Sequence, residues 1–414
     1  MNLIGMTICI MIVAAALFSV YLLLRQAAYV AAHRQEVPID FASQVRLDEH
    51  QRAADYTIAR AHFGIIETLI SAILSIGWLA IFLSPLYAFI SQIIDPGLSR
   101  SVVFVVSFFL LTHFLELPLS LYNTFSLEEK FGFNRQSLPT FAIDEVKTAA
   151  ISLLIGVPAL YGMFFLFKTF PQTWWLVSYV VFMIFIVSMS VVYPTFIAPL
   201  FNTFRPLEDG MIKSRVVGLL NKCGFQSGGV FIMDASKRST HGNAYFTGFG
   251  KSKRIVFFDT LFEKHSIDEI ESILAHELGH FKHGHVFQMI LQSAIVVFIG
   301  FLSFYWFFST DILTSWFGIP HDPGVIFIAL LLVKEPISLF LTPLLSWRSR
   351  RAEYEADDFA RQMLGCDAMI SALTRLTRDN LASLTPDPFY AAFYFSHPPV
   401  SQRVRQLRLS QAAI

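Results

Sequence analysis

Charge is what this 414-residue chain has least of. Lys, Arg, Asp and Glu make up only 15% of it, against ~25% in an ordinary soluble domain. Too few charged side chains remain to coat a soluble surface, which excludes a cytosolic enzyme of the usual kind, a coiled coil and a disordered chain. No charge sign is in excess, since 31 basic residues balance 31 acidic ones. Nothing therefore suggests nucleic acid as a partner. Cysteine is scarce as well. Cys9, Cys223 and Cys366 form no CxxC pair and no even set, so neither a disulfide framework nor a thiolate metal site is expected. Internal repeats and low-complexity tracts are missing too, which excludes a solenoid.

Apolar residues are abundant: 54% of the chain is hydrophobic and 43 residues are Phe. A bilayer core of ~30 Å takes ~20 apolar residues per helix, and seven stretches qualify. They are Leu3–Leu24, Leu69–Ile94, Val102–Phe125, Thr148–Phe167, Trp174–Tyr193, Val286–Phe308 and Val325–Leu345. The fifth runs into a stretch containing Pro194 and Pro199, and the seventh carries Lys334, Glu335, Pro336 and Pro343. The first basic residue, Arg25, follows the first apolar run instead of preceding it, so that run reads as an uncleaved anchor and not a signal peptide. Four regions divide the chain: five spans over 1–199, a polar segment over 200–285, two spans over 286–345 and a second polar segment over 346–414. Lys and Arg gather before span two, after spans three and five and in the tail, whereas the opposite loops hold only Arg100 and Lys168. This bias puts the N-terminus outside and both polar segments inside. Ionisable residues within spans, His113 with Glu116 one turn on and the adjacent Lys334 and Glu335, read either as helix-packing polarity or as the lining of a water-holding interior.

The first polar segment contains two β-rich runs, Val230–Met233 and Arg254–Phe258. Between them, residues 243–250 look like a strand ending in a Gly-rich turn. Ser266 with Glu269 forms a capping box that opens a helix. That helix carries His276, Glu277 and His280. Positions i and i+4 share a helix face, so both histidines can reach one zinc ion, with Glu277 placed to take a proton from the activated water. His283 and His285, a turn or more onward on the same helix, are expected to be out of reach. Because Gly284 alone seldom stops a helix, the metal helix is expected to run straight into span six. A third ligand must come from elsewhere, and the run from Arg350 to Ala360 offers Glu353 and Asp357 on one face. One of the two can bind metal while the other orients a ligand histidine; Glu355 and Asp358 are expected to be solvated. In proteases of this type an extended peptide pairs with an edge strand beside the metal helix, and Asn243–Phe246, with Ala244 and Tyr245, is the candidate.

At this point the chain resembles the type I CAAX prenyl protease family. The matching stretches are Leu127–Arg135, Tyr193–Asn202, Pro206–Gly210, Ser239–Gly248, Lys253–Leu261, the His276–His280 motif, Arg351–Asp357 and Phe395–Arg403. The resemblance implies a mainly α, polytopic membrane protein whose seven helices enclose a chamber, with a gluzincin-like α+β zinc metalloprotease domain built from the two polar segments. It implies one zinc held by His276, His280 and Glu353, Glu277 as general base and acid, and Asp357 behind the ligands. It further implies that Asn243 contacts the substrate backbone and that His397 and Arg403 close the site near the oxyanion. The substrate so implied is a prenylated CAAX protein losing its C-terminal tripeptide, or another membrane-anchored peptide, with the lipid bilayer as the other partner. The tail ends at Gln411–Ile414 without a dibasic signal, an economy typical of a bacterial member in an inner membrane; a eukaryotic one would occupy an endoplasmic-reticulum type membrane. Two other readings compete: a quality-control protease of the heat-shock type, and a transporter or scaffold with structural zinc.

Overall fold

The protein is described from a computed structural model covering residues 1–225, 228–247 and 254–412. Six helices are long and apolar enough to cross a bilayer: Leu3–Ala32, Leu47–Ser91, Leu98–Phe131, Leu138–Thr169, Trp174–Leu200 and His285–Ser309. A seventh span is broken, with Pro323–Val333 and Glu335–Leu364 meeting at an angle of 51°. Its bend falls at Lys334, just before Pro336, whose ring and missing N–H interrupt the helical ladder. Counting this bent pair as one span, the described residues hold all seven expected spans by length and composition, and most run well beyond their apolar cores. Span two has 45 residues, a length of ~68 Å at 1.5 Å per residue, so about half of it stands clear of the hydrocarbon.

The bundle is packed at both ends and open between them. At one end Phe104, Val105, Phe164, Trp174, Phe304, Leu313 and Val325–Ala329 form a plug to which spans three to seven all contribute. The opposite end carries the two polar segments. Between these ends little is covered: buried residues make up 6% of the apolar windows of spans four and five and 0% of that of span six. A helix inside a solid bundle buries one face. Spans four to six are therefore not packed into a solid bundle along these stretches. Among the ionisable residues within the spans, His113 reaches across to another helix. Its Nε2 lies 3.0 Å from Glu145 of span four, which joins neighbouring walls instead of successive turns.

At the packed polar end a four-stranded sheet has the order β1-β2-β4-β3, with β1 Phe204–Pro206, β2 Val230–Met233, β3 Ala244–Thr247 and β4 Arg254–Phe258. Three of these strands were expected; β1, three residues long and ending in Pro, lacks any alternation by which to recognise it. The turn expected over 248–250 lies outside the described residues. The helix Ile267–Lys282 is capped as expected, with Ser266 Oγ accepting from Glu269 N at 3.3 Å and Glu269 Oε2 from Ser266 N at 2.8 Å. Its apolar residues Ile270, Ile273, Leu274 and Leu278 enter a core shared with Ile255 and Phe257 of β4 and with Met369 and Leu373 of the helix Asp367–Asp379.

Candidate active site

Two helices build the site, and a glycine lets them meet. A Cβ on Gly279 would come within 2.8 Å of the Ala356 Cα and 3.0 Å of its carbonyl oxygen. Only a residue without a side chain allows the helix Ile267–Lys282 to lie this close to the polar extension of span seven. The approach brings Glu353 to the two histidines. His276 Nε2 and His280 Nε2 are 3.2 Å apart, and Glu353 oxygens lie 3.4 Å from the first and 3.1 Å from the second. A tetrahedral zinc with ligands at ~2.0–2.1 Å has ligand-to-ligand edges of ~3.3 Å, so the donor set matches. Glu353 Oε2 is buried and makes no close hydrogen bond, its nearest donors being His276 Nε2 at 3.4 Å and Arg403 Nη1 at 3.5 Å, which leaves it able to take a cation. The electrostatics agree. Burial opposes charge on His276, yet its hydrogen bonds to Asp357 and Glu353 lift its pKa to about 9, so the carboxylates call for positive charge at this point. Burial likewise opposes the charge on Glu353, and hydrogen bonds from the two histidines overcome it and hold the carboxyl far below the usual range.

Asp357 lies behind the ligands, its Oδ1 2.9 Å from His276 Nδ1. Arg403 is buried and grips that same carboxylate through Nε at 2.7 Å and Nη2 at 2.5 Å, with Nη1 3.5 Å from Glu353. In this structure it thus lies behind His276 as well as beside Glu353, with Nη2 3.4 Å from His276 Nδ1. His397 is on the open side. Its side chain is 63% exposed and its Nε2 lies 3.3 Å from Glu353 Oε1. Glu277 sits beside the triangle; burial, with the nearby charge of Glu353, raises its carboxyl above the usual carboxylate range against the pull of the histidines and Arg403.

The strand β3 ends the sheet and packs against the helix that bears the histidines. Phe258 N donates to Asn243 O at 3.0 Å. With Ala244 opposite Phe257 and Tyr245 opposite Val256, pairing alternates so that Ala244 and Phe246 turn their N–H and C=O groups away from β4. Ala244 N donates at 2.8 Å to the Asn243 side chain. Of the expected strand residues, Ala244 thus offers backbone at the free edge and Tyr245 does not; Phe246 does. The segment entering β3 is held from outside: Asn380 bonds both the N–H and the C=O of Gly242, and His241 lies 3.5 Å from Glu128 of span three.

Two expectations fail here for one reason. The metal helix does not run into span six: it stops at Lys282, His283 caps it, and Gly284 adopts a left-handed conformation with φ +68° before His285 starts the next helix. The turn swings His285 back, so that its Nδ1 lies 3.0 Å from His280 Nδ1 and its Nε2 3.0 Å from Glu355 Oε2. Glu355 is consequently not a purely solvated carboxylate, although Asp358, bonded to Arg361, is a surface one. Glycine just past a helix that ends in His is a stop signal that could have revealed the break. A third feature had no sequence signal: Arg350 Nη1 donates to Phe395 O at 2.8 Å and to Ala391 O at 3.2 Å, which anchors the arm bearing His397 to the Glu353 helix.

Comparison with known proteins agrees with this geometry. Residues 26–203 match the family signature described as CAAX prenyl protease N-terminal, five membrane helices, and residues 206–410 match peptidase family M48. CAAX prenyl protease 1 of Saccharomyces cerevisiae is 36% identical over 327 residues, which cover 75% of this chain and 72% of the relative. The CAAX prenyl protease 1 homolog of Arabidopsis thaliana is 31% identical and covers 94% of each chain. Among solved structures, the crystal structure of S. mikatae Ste24p superposes with a TM-score of 0.90 at 29% identity, covering 98% of this chain and 99% of that one. An N-terminal five-helix region followed by a peptidase region sets aside the transporter or scaffold reading: the chain is a membrane metalloendopeptidase and belongs to the CAAX prenyl protease family within peptidase family M48.

Proposed function

We propose that this chain binds one zinc ion through His276, His280 and Glu353 and hydrolyses peptide bonds near the C-terminus of prenylated CAAX-type or other membrane-anchored peptides, inside the space its spans enclose. The observation that carries the reading is the convergence of His276 Nε2 and His280 Nε2, 3.2 Å apart, on the two oxygens of Glu353, with Glu277 beside them. When bound, zinc supplies Lewis acidity for the scissile carbonyl and the attacking water. The chain's residues do the rest. An extended peptide pairs with the free edge of β3, where the Ala244 and Phe246 backbones set its position with little regard to side chains. Glu277, its basicity raised by burial, accepts the proton of the attacking water and delivers it to the leaving amine. His397, on the open side, donates to the developing oxyanion. Arg403 holds Asp357, which in turn fixes the ring of His276.

A lipid-linked substrate suits the geometry. Glu353 lies on the same continuous helix as the inner half of span seven, and His280 is only a few residues from span six. A peptide can thus reach the metal while its anchor stays near the bilayer. The charge bias of the loops supports a site on the cytosolic side; a Cys placed at Lys282 is then labelled from that side alone. The direct test is cleavage of a farnesylated CAAX peptide by purified protein, with and without a chelator. Release of the C-terminal tripeptide that stops on chelation and returns with zinc supports the proposal. Equal cleavage in chelator, or cleavage that ignores the lipid, overturns its metal part or its substrate part respectively.

A further inference from the structure

We infer that His285 and Glu355 form a positioning chain behind the second zinc ligand, so that His280 is oriented from span six. The inference rests on the zinc reading above. His280 turns Nε2 towards His276 and Glu353. A ligand nitrogen must be bare, so the one proton of the neutral ring lies on Nδ1. That N–H points at His285 Nδ1, 3.0 Å away, which must accept. The His285 proton is thereby left on Nε2, where it donates to Glu355 Oε2, also at 3.0 Å. Every hydrogen-bonding position in the line is filled in one sense only, from ligand to carboxylate. The alternative arrangement, with His285 Nδ1–H donating, would put the His280 proton on Nε2 and exclude the metal.

The arrangement is built, not incidental. His285 is buried, with 5% of its surface exposed, and its ring stacks near His283 with centroids 5.7 Å apart. It reaches His280 because Gly284 takes a left-handed turn that other residues adopt at a cost. Glu355 comes from the helix that also supplies Glu353 and Asp357, so one helix provides a ligand and the anchors for both histidines. The two anchors differ. Asp357 bonds His276 directly and is buried, whereas Glu355 acts through an intervening ring and its side chain is 50% exposed. His280 is held more loosely for that reason, and its orientation depends on where span six begins.

The test measures zinc affinity of the full-length protein by chelator competition, a readout independent of cleavage. His285→Phe keeps the ring volume but removes the acceptor, and zinc is expected to bind roughly 10–100-fold more weakly, the range usual for such partners. His285→Asn places a carbonyl oxygen about where Nδ1 was and is expected to restore most of that loss. Glu355→Lys, at a half-exposed position that folding tolerates, is expected to weaken binding by roughly tenfold. Zinc affinity unchanged in His285→Phe, or equally poor in His285→Asn, overturns the inference, the second because it makes His285 a packing residue. If His285→Phe does not fold, Glu355→Lys decides, and unchanged affinity there overturns the inference as well. Glu353→Ala is the control for the underlying reading: full zinc affinity in that variant refutes the zinc site itself, while its loss alongside a normal His285→Phe refutes only the positioning chain.

Discussion

Span six, from His285 onward, buries no residue of its apolar window, whereas the metal helix that ends just before it buries ten of its sixteen residues. The two helices are neighbours in the chain and answer to different constraints. Along span six a side chain needs only to be apolar, since almost nothing in the protein packs against that stretch. At the catalytic end each side chain must fit a particular partner, as Gly279 fits Ala356. Tolerance to substitution should therefore change abruptly across Gly284.

Substitutions can break or sharpen this contrast, and the largest effects belong to the metal triangle. Glu353→Ala should abolish cleavage and metal retention together, read by metal analysis of the purified protein; retained metal with retained activity would show that another carboxylate completes the set. Glu277→Gln leaves the ligands intact and should keep metal while slowing cleavage by about 10²–10⁴-fold. Full activity in that variant would remove Glu277 from the chemistry. Next comes Gly279→Ala. One methyl against a backbone 2.8 Å away must push the two helices apart, so stability should fall by about 1–3 kcal/mol and metal affinity with it. A variant that binds metal normally would mean that the helix contact does not govern ligand spacing. Core packing gives a sharper comparison still. Leu274→Ala in the fully buried catalytic core should cost about 2–5 kcal/mol in unfolding, while Ile299→Ala, at a 55%-exposed site on span six, should stay within about 0.5 kcal/mol. Equal losses would show that the wall is as tightly packed as the core. Smallest of all, Ala244→Pro removes one edge N–H and should raise KM by roughly tenfold with kcat and melting temperature little changed. A normal KM would place the substrate away from β3.

The same contrast explains what was legible in the sequence. Spans could be read directly because lipid imposes one requirement on every turn, and the bend of span seven was foreshadowed by Lys334, Glu335 and Pro336. His276, Glu277 and His280 were legible because a fixed helical spacing joins them. The residues read less well are those that depend on contact between separate elements. Glu353 and Asp357 share a face, and only their place against the metal helix distinguishes ligand from anchor. Arg403 was expected near the developing oxyanion from the resemblance alone, and its grip on Asp357 had no signal in the sequence. His285 was expected on a continuous metal helix and Glu355 on a solvated acidic face, and the left-handed turn at Gly284 that brings them together depends on contact between separate elements. The short β1 carried no pattern at all.

The division of the metal triangle along the chain also has a consequence in time. His276 and His280 precede span six, and Glu353 lies on the last helix of span seven, beyond its apolar part. On the proposed zinc reading, a chain still being synthesised holds two of the three ligands and lacks the helix against which Gly279 packs. Hydrolysis would then have to wait until both last spans are threaded through the bilayer and docked. The order of synthesis itself acts as a safety catch, keeping a protease harmless while its own unfinished walls are still exposed.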